Sequence, residues 1–183
     1  MLKLQGKNIY LSTLERSDCS KLYKDFEYDF NQITDRLHIG YSNEGANDWF
    51  EEIQKLQGKQ HIRLGIYTLD GEVIGDIALQ DIDQWNRTCS IGLGIAKLEN
   101  RHKGYGSEAL ELIIDYAINN VGLEKITGST LEINIAMQKA FEKLGFILEG
   151  CQREAIYFGG RRYGNLNYGL LAHEWLKKGE KNG

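Results

Sequence analysis

The succession of strand, glycine-rich loop, helix and strand between residues 88 and 131 constrains this chain more than any other stretch. Ile91-Gly92-Leu93-Gly94-Ile95-Ala96 is a short apolar run of strand type. Arg101-His102-Lys103-Gly104-Tyr105-Gly106 follows it. Leu110, Ile113, Ile114, Ala117 and Ile118 then mark one face of a helix running from Ser107 to Asn119. Lys125 to Leu131 reads as the next strand. Two strands joined through a crossing helix lie parallel, with a right-handed crossover. Glycines ahead of a helix leave its first amides without intrahelical acceptors. Those donors, at the positive end of the helix dipole, make a seat for phosphate. The unit therefore imposes one parallel step and places at its loop an anion site suited to a diphosphate.

The remaining sequence surrounds this unit with antiparallel structure. Asn8 to Leu14 alternates as a first strand, and Ser17-Asp18 opens a helix carrying Cys19, Leu22, Tyr23 and Phe26. Ala46, Trp49, Phe50, Ile53 and Leu56 form a clearer helical stripe, ended by Gly58. Ile62, Leu64 and Ile66 lead into Asp70-Gly71, a two-residue hairpin turn, and Val73 to Ile82 leads out. Trp85-Asn86-Arg87 turns the chain into the strand Thr88 to Ala96. A helix from Asn134 to Leu144, closed by Gly145, precedes a final hairpin: Phe146 to Phe158, Gly159-Gly160, Arg161 to Leu171. There is no linker, repeat or low-complexity stretch. The expectation is a single α/β (α+β) domain over residues 1–183, with a mixed, mostly antiparallel sheet and helices on both faces. The chain has no proline, so its turns fall to its 21 glycines.

Composition narrows the function. With 42% hydrophobic and 26% charged residues the chain is of globular type. No apolar run approaches the ~20 residues of a spanning helix, and Met1 to Lys7 lacks the apolar core of a signal peptide. The expectation is a cytoplasmic protein with no membrane partner. A net charge of -4 argues against a nucleic-acid partner, which calls for a basic face. Cys19, Cys89 and Cys151 are odd in number and widely spaced, as reduced thiols are, and no Cys/His spacing fits a metal site. Two other phosphate-binding motifs fit poorly. No Walker A run is present, and Gly92-Leu93-Gly94 lies before the loop, behind several antiparallel strands, where a dinucleotide fingerprint does not belong.

Arg101-x-x-Gly104-x-Gly106 resembles the acyl-CoA pyrophosphate loop of the GNAT N-acetyltransferases. Downstream, Asn134 to Phe146 (NIAMQKAFEKLGF) is similar to the family's second motif, an asparagine followed by a helix ending in Leu144-Gly145-Phe146. Ile9 to Asp18, Glu149-Gly150, Arg153, Gly159 to Tyr163, Tyr168 to Leu171 and Glu174-Trp175 resemble the subgroup of ribosomal-protein alanine N-acetyltransferases. The resemblance spans nearly the whole chain.

That resemblance implies the GNAT fold and direct transfer of acetyl from acetyl-CoA, as cosubstrate and without a metal, to a primary amine. The subgroup implies a protein or peptide N-terminal amine, with a polyamine or aminoglycoside, or a non-catalytic CoA-binding protein, as alternatives. By resemblance, the amides of Lys103, Gly104, Tyr105 and Gly106 hold the pyrophosphate, with Arg101 and His102 at its entrance and Ser107 able to cap the helix. Gly94 and Ile95 belong to the strand running beside the pantetheine arm, and the backbone around Leu93 serves the oxyanion. Asn134 reaches the arm or caps its helix. Phe141 stands where the family often has a tyrosine that protonates the leaving thiolate. Phenylalanine has no proton to give, which leaves water, Ser129 or Thr130. Asp76 ranks first as base, ahead of Asp81, Asp83, Glu27 and Asp29. Tyr28, Phe30 and Asp35 are candidate acceptor contacts. The sequence leaves dimerisation open.

Overall fold

The computed structural model describes residues 1–28 and 42–182. Eight strands form one sheet: β1 (Lys3–Gln5), β2 (Ile9–Ser12), β3 (Ile62–Thr68), β4 (Val73–Asp83), β5 (Thr88–Ile95), β6 (Lys125–Leu131), β7 (Ile147–Phe158) and β8 (Arg161–Leu171). Their spatial order is β1-β2-β3-β4-β5-β6-β8-β7. Every pairing is antiparallel except that of β5 with β6. The one parallel step thus falls at the strand–loop–helix–strand unit. The helices are α1 (Arg16–Asp25), α2 (Asn43–Leu56), α3 (Tyr105–Tyr116), α4 (Ile135–Leu144) and α5 (Ala172–Asn182).

The parallel pair is brief. Thr88, Cys89 and Ser90 pair with Lys125, Ile126 and Thr127, and there the ladder stops. β5 stays with β4 as far as Ile95, opposite Gly75, and β6 stays with β8 as far as Leu131, opposite Asn165. From Ile91 and Gly128 onward the two central strands part. At that point a Cβ on Gly128 would stand 2.5 Å from Cζ of Phe141 and 3.3 Å from Cγ2 of Ile91. The Phe141 ring, wholly buried, thus sits against bare backbone where the parting begins.

Two cores lie on opposite sides of the sheet. The larger joins Ala109, Leu110, Ile113 and Ile114 of α3 and Phe141 and Leu144 of α4 to Ile9, Leu64, Ile77, Ile91 and Ile126, with Trp175 of α5 at its margin. The smaller joins Cys19 and Leu22 of α1 and Ile53 of α2 to Leu14, Tyr67, Val73 and Ala96. Burying each large aliphatic side chain contributes roughly 1.5–3 kcal/mol. Glu108, in the first turn of α3, accepts hydrogen bonds from the Asn8 backbone (2.8 Å), the Asn8 side chain (2.9 Å) and the Ile9 amide (3.4 Å), tying the helix start to β2.

Local details refine the sequence reading. The β3–β4 loop spans Leu69 to Glu72 rather than two residues. It is closed by the Thr68 amide on the Glu72 carbonyl (2.9 Å), with Gly71 at φ +92°. Helix α3 starts two residues before Ser107 and passes at Ala117 into a π turn that ends at Val121. The terminal helix α5 lies beyond the elements expected. No helix among the described residues is long and apolar enough to cross a membrane.

Candidate active site

The loop after β5 builds an amide cradle. His102 (φ +60°) and Gly104 (φ +87°) both turn left-handed, so the backbone doubles back before α3 begins. The first helical hydrogen bond runs from the Glu108 amide to the Gly104 carbonyl (3.0 Å). Among the described residues no acceptor meets the amides of Lys103, Gly104, Tyr105, Gly106 and Ser107. Gly104 is the N-cap, and unlike Ser or Asp it has no side-chain oxygen to satisfy them. Ser107 therefore lies within the first turn and does not cap it. The two glycines are needed for different reasons. A Cβ at Gly104 would meet open space, so the demand there is the positive φ; one at Gly106 would come 3.1 Å from Leu93 Cδ2, so the demand is closeness to β5. Unpartnered amides in a row, flanked by exposed His102 and Lys103, fit a diphosphate.

Arg101 does not stand at the entrance of this cradle. Its guanidinium turns inward, with Nε 3.2 Å and Nη2 3.0 Å from the Ile95 carbonyl, and Nη2 also 3.0 Å from the Glu27 carbonyl. Glu27 closes the knot: its amide donates to Ala96 (2.9 Å), and its carboxylate accepts from the Leu98 amide (2.7 Å). The arginine ties the end of β5 to the segment following α1.

The opposite face of the sheet, under α1 and α2, carries Arg63, Asp76, Gln80, Gly92 and Gly94. Gly65, Asp76 and Gly94 stand in register across β3, β4 and β5. The Asp76 carboxylate is ion-paired with the Arg63 guanidinium, both side chains being largely buried, and Arg63 lies 5.7 Å from the centre of the Trp49 ring. Beside this pair is a pocket of about 200 Å³ lined by residues that include Trp49, Glu52, Gln57, His61, Arg63 and Gln80. The Gln57 side chain brackets the backbone of Arg63 (3.0 and 3.1 Å), and His61 Nε2 lies 3.8 Å from Asp81. Asp76, ranked first as a base, is therefore a partly buried ion-pair partner of Arg63.

The other expected residues fall as follows. Leu93 and Ile95 pack at the margin of the larger core. Ser129 is exposed, whereas Thr130 is buried on the same side of β6 as Gly128. Asn134 caps α4, its side chain accepting from the Met137 amide (3.1 Å). Phe141 is not a surface that a ligand can touch in this structure; its ring packs 4.8 Å from Phe146 and 5.2 Å from Tyr168. Tyr28 packs edge-on against Phe26 at 5.0 Å. Phe30 and Asp35 lie outside the described residues. The pocket is assembled from residues far apart in the sequence. Trp49 was visible only as one member of an apolar stripe, and His61 and Gln80 carried no local signal.

Known proteins place this geometry. A family model described as an acetyltransferase (GNAT) domain matches residues 8–147. The chain is 31% identical over 166 residues to the probable N-acetyltransferase YjcK of Bacillus subtilis (strain 168), covering 86% of this chain and 90% of that one. It is 34% identical over 134 residues to the "Putative ribosomal N-acetyltransferase YdaF" of the same organism, covering 73% of this chain and 69% of that one. Its fold matches a crystal structure of spermidine N-acetyltransferase from Vibrio cholerae in complex with CoA and spermine, with TM-score 0.82, 19% identity, and coverage of 93% of this chain and 99% of that one. The parted strands, the amide cradle and these likenesses agree, and the chain belongs to the GNAT family as an acetyl-CoA-dependent N-acetyltransferase.

Proposed function

We propose that this enzyme acetylates the N-terminal α-amine of a peptide or protein by direct transfer. The observation that carries the reading is the pocket at Trp49, Glu52, His61 and Arg63. It is small, it has one aromatic wall, and the Arg63 charge beside it is balanced by Asp76. Such a pocket suits one amine-bearing residue better than an extended polycation. The name of the relative YdaF points the same way. An α-amine also suits the chemistry. It titrates near 7.7–8.0, against ~10.4 for a lysine-type amine, so near neutral pH a useful fraction is already uncharged and able to attack.

The division of labour follows the two faces. The amides of Lys103 to Ser107 hold the diphosphate of acetyl-CoA, which supplies an activated acetyl group. The edge of β5 from Gly92 to Ile95, left open where β6 departs, pairs with the amide-bearing arm, and the backbone N–H near Leu93 stabilises negative charge on the acetyl oxygen. On the other face Trp49 and Gln80 hold the acceptor, Asp76 positions Arg63, and the amine proton leaves through water towards Glu52 and His61. No thiol competes as a nucleophile in the cores. Burial pushes the Cys89 thiol up to about 12, and burial followed by the nearby Asp76 does the same to Cys19, so both stay protonated.

Release of free thiol from acetyl-CoA, measured against a panel of amines, tests the reading. Peptides with a free N-terminus are expected to turn over, and the same peptides N-terminally blocked but carrying lysine are expected to fail. Faster turnover of spermidine or an aminoglycoside than of any peptide would overturn the choice of acceptor.

A further inference from the structure

Arg63 is held firmly, yet half of its donors are unused. It lies on β3 beyond Gly65, where the pairing with β2 ends, and the Gln57 side chain takes its backbone amide and carbonyl in place of a strand (3.0 and 3.1 Å). Its side chain is 17% exposed and is ion-paired through Nη1 with Asp76 Oδ2. Asp76 lies over the bare backbone of Gly94, where a Cβ would stand 3.4 Å from its Oδ1, and Gln80 lies over Gly92, where a Cβ would stand 3.1 Å from its Oε1. The arginine is thus anchored one side chain away from the stretch of β5 proposed for the acyl arm. A guanidinium spreads five N–H bonds over three nitrogens, and a partner that engages Nη1 alone leaves the others in want of an acceptor. Among the described residues none meets Nε or Nη2. Neither nitrogen is sealed, since Thr130 Oγ1 is the one side-chain polar atom among the described residues that is both buried and unpartnered. The spare donors of a pocket-lining side chain therefore stay open to a ligand. Asp76 offsets the guanidinium charge, and Glu52 lines the same pocket, so these donors call for a neutral oxygen rather than another anion.

We propose that Arg63 is the specificity-determining residue of the acceptor site, its spare N–H groups donating to the carbonyl oxygen of the acceptor's first residue. The inference rests on the peptide reading of the same pocket. One group sets an N-terminal amine apart from a polyamine or a lysine side chain: the amide carbonyl attached to its amine-bearing carbon. A polyamine offers methylenes and further ammonium groups there, which leave the guanidinium without an acceptor and set cation against cation. A site built to hydrogen-bond one group of its substrate rejects an analogue without it, because the site's own donors are then left unpaired. The contact makes and breaks no covalent bond. It holds the nitrogen in one place beside β5 while the lone pair attacks.

The test sets acceptors with the carbonyl against acceptors without it: alaninamide against isopropylamine, and a peptide with a free N-terminus against spermidine. Arg63→Lys keeps a charge for Asp76 but presents a point in place of a fork. Each variant is compared with wild type on the same acceptor, so differences in amine basicity cancel. For alaninamide and the peptide, kcat/KM should fall about tenfold or more through the acceptor KM, while turnover of the carbonyl-free amines changes less than about twofold and the KM for acetyl-CoA holds. If lysine unfolds the site, the double variant Arg63→Met with Asp76→Asn, which leaves no buried charge unpaired, makes the same comparison. An equal loss on both kinds of acceptor overturns the proposal, since it would make Arg63 a structural residue, and so does undiminished peptide turnover. Where the wild type ignores the carbonyl-free amines, a loss confined to kcat overturns it. The wild type alone decides the underlying reading: turnover of spermidine and of no peptide or amino-acid amide sinks the peptide acceptor, whereas peptide turnover indifferent to Arg63 sinks only this inference.

Discussion

The two sides of the parted strands are built from different materials. The side proposed for the donor is backbone: unpartnered amides at the start of α3, two left-handed residues, and the bare edge of β5. The side proposed for the acceptor is side chains: Trp49 from α2, His61 and Arg63 around the start of β3, and Gln80 from β4. A backbone site reads any diphosphate of the right reach and hardly depends on which side chains surround it. A side-chain site is specific, and it changes when any one contributor changes. The contrast teaches why relatives that share a donor can carry names that point to different acceptors.

Substitutions that disturb one side alone will show whether the division is real. The largest effect is expected at Gly104. Gly104→Asp forces a side chain into a left-handed position and sets a carboxylate among the amides that await a diphosphate, so the KM for acetyl-CoA should rise about 100-fold, equivalent to ~2.7 kcal/mol. An unchanged KM would break the donor half of the comparison. Next comes the boundary between the halves. Phe141→Tyr would restore the hydroxyl common in the family, yet Cζ of that ring already lies against Gly128. Overpacking should cost about 1–3 kcal/mol in thermal or denaturant unfolding, with no gain in kcat. A faster, undestabilised variant would show that the apex has room. On the acceptor side, Trp49→Ala should raise the acceptor KM about tenfold, ~1.4 kcal/mol, and leave that of acetyl-CoA alone. An equal rise in both would mean that the sides are not separate.

The smallest effect concerns Glu108. Burial would raise its carboxyl, but hydrogen bonds from Asn8 and Ile9 outweigh that and hold it below the ordinary glutamate range. A lowered folded-state pKa gives stability that is present above the unfolded value and is lost as pH falls through the folded one. Glu108→Gln should therefore lower Tm by a few degrees at neutral pH, and the gap to wild type should close in acid. A gap that widened on acidification would reverse the sign of the linkage.

The same contrast explains what could be read in advance. Gly104, Gly106 and Gly145 were legible because backbone conformation or close approach dictates the residue type. Asn134 was legible because a helix start needs a side-chain acceptor. The pocket was not, because Trp49, His61, Arg63 and Gln80 are far apart in sequence and each has an ordinary structural use. The Arg101 guanidinium turns to the carbonyls of Ile95 and Glu27, and a sequence does not say which of several carbonyls a guanidinium will choose. The Asp70-Gly71 pair located a turn without its length, which the Thr68 to Glu72 hydrogen bond sets. Phe141 was visible as a missing hydroxyl. That the buried Thr130 Oγ1 has no hydrogen-bond partner among the described residues was not, because satisfaction belongs to a neighbourhood and not to a residue.

The Arg101 knot makes the end of β5 and the chain leaving α1 one mechanical unit. One guanidinium holds the carbonyl of Ile95, beside the donor cradle, and the carbonyl of Glu27, on the chain leaving α1. A substitution that frees the guanidinium would therefore loosen both stretches of chain together. Any binding event coupled to that unit would be coupled reciprocally: whatever one stretch does to the affinity of a ligand at the other, the reverse must hold by the same factor.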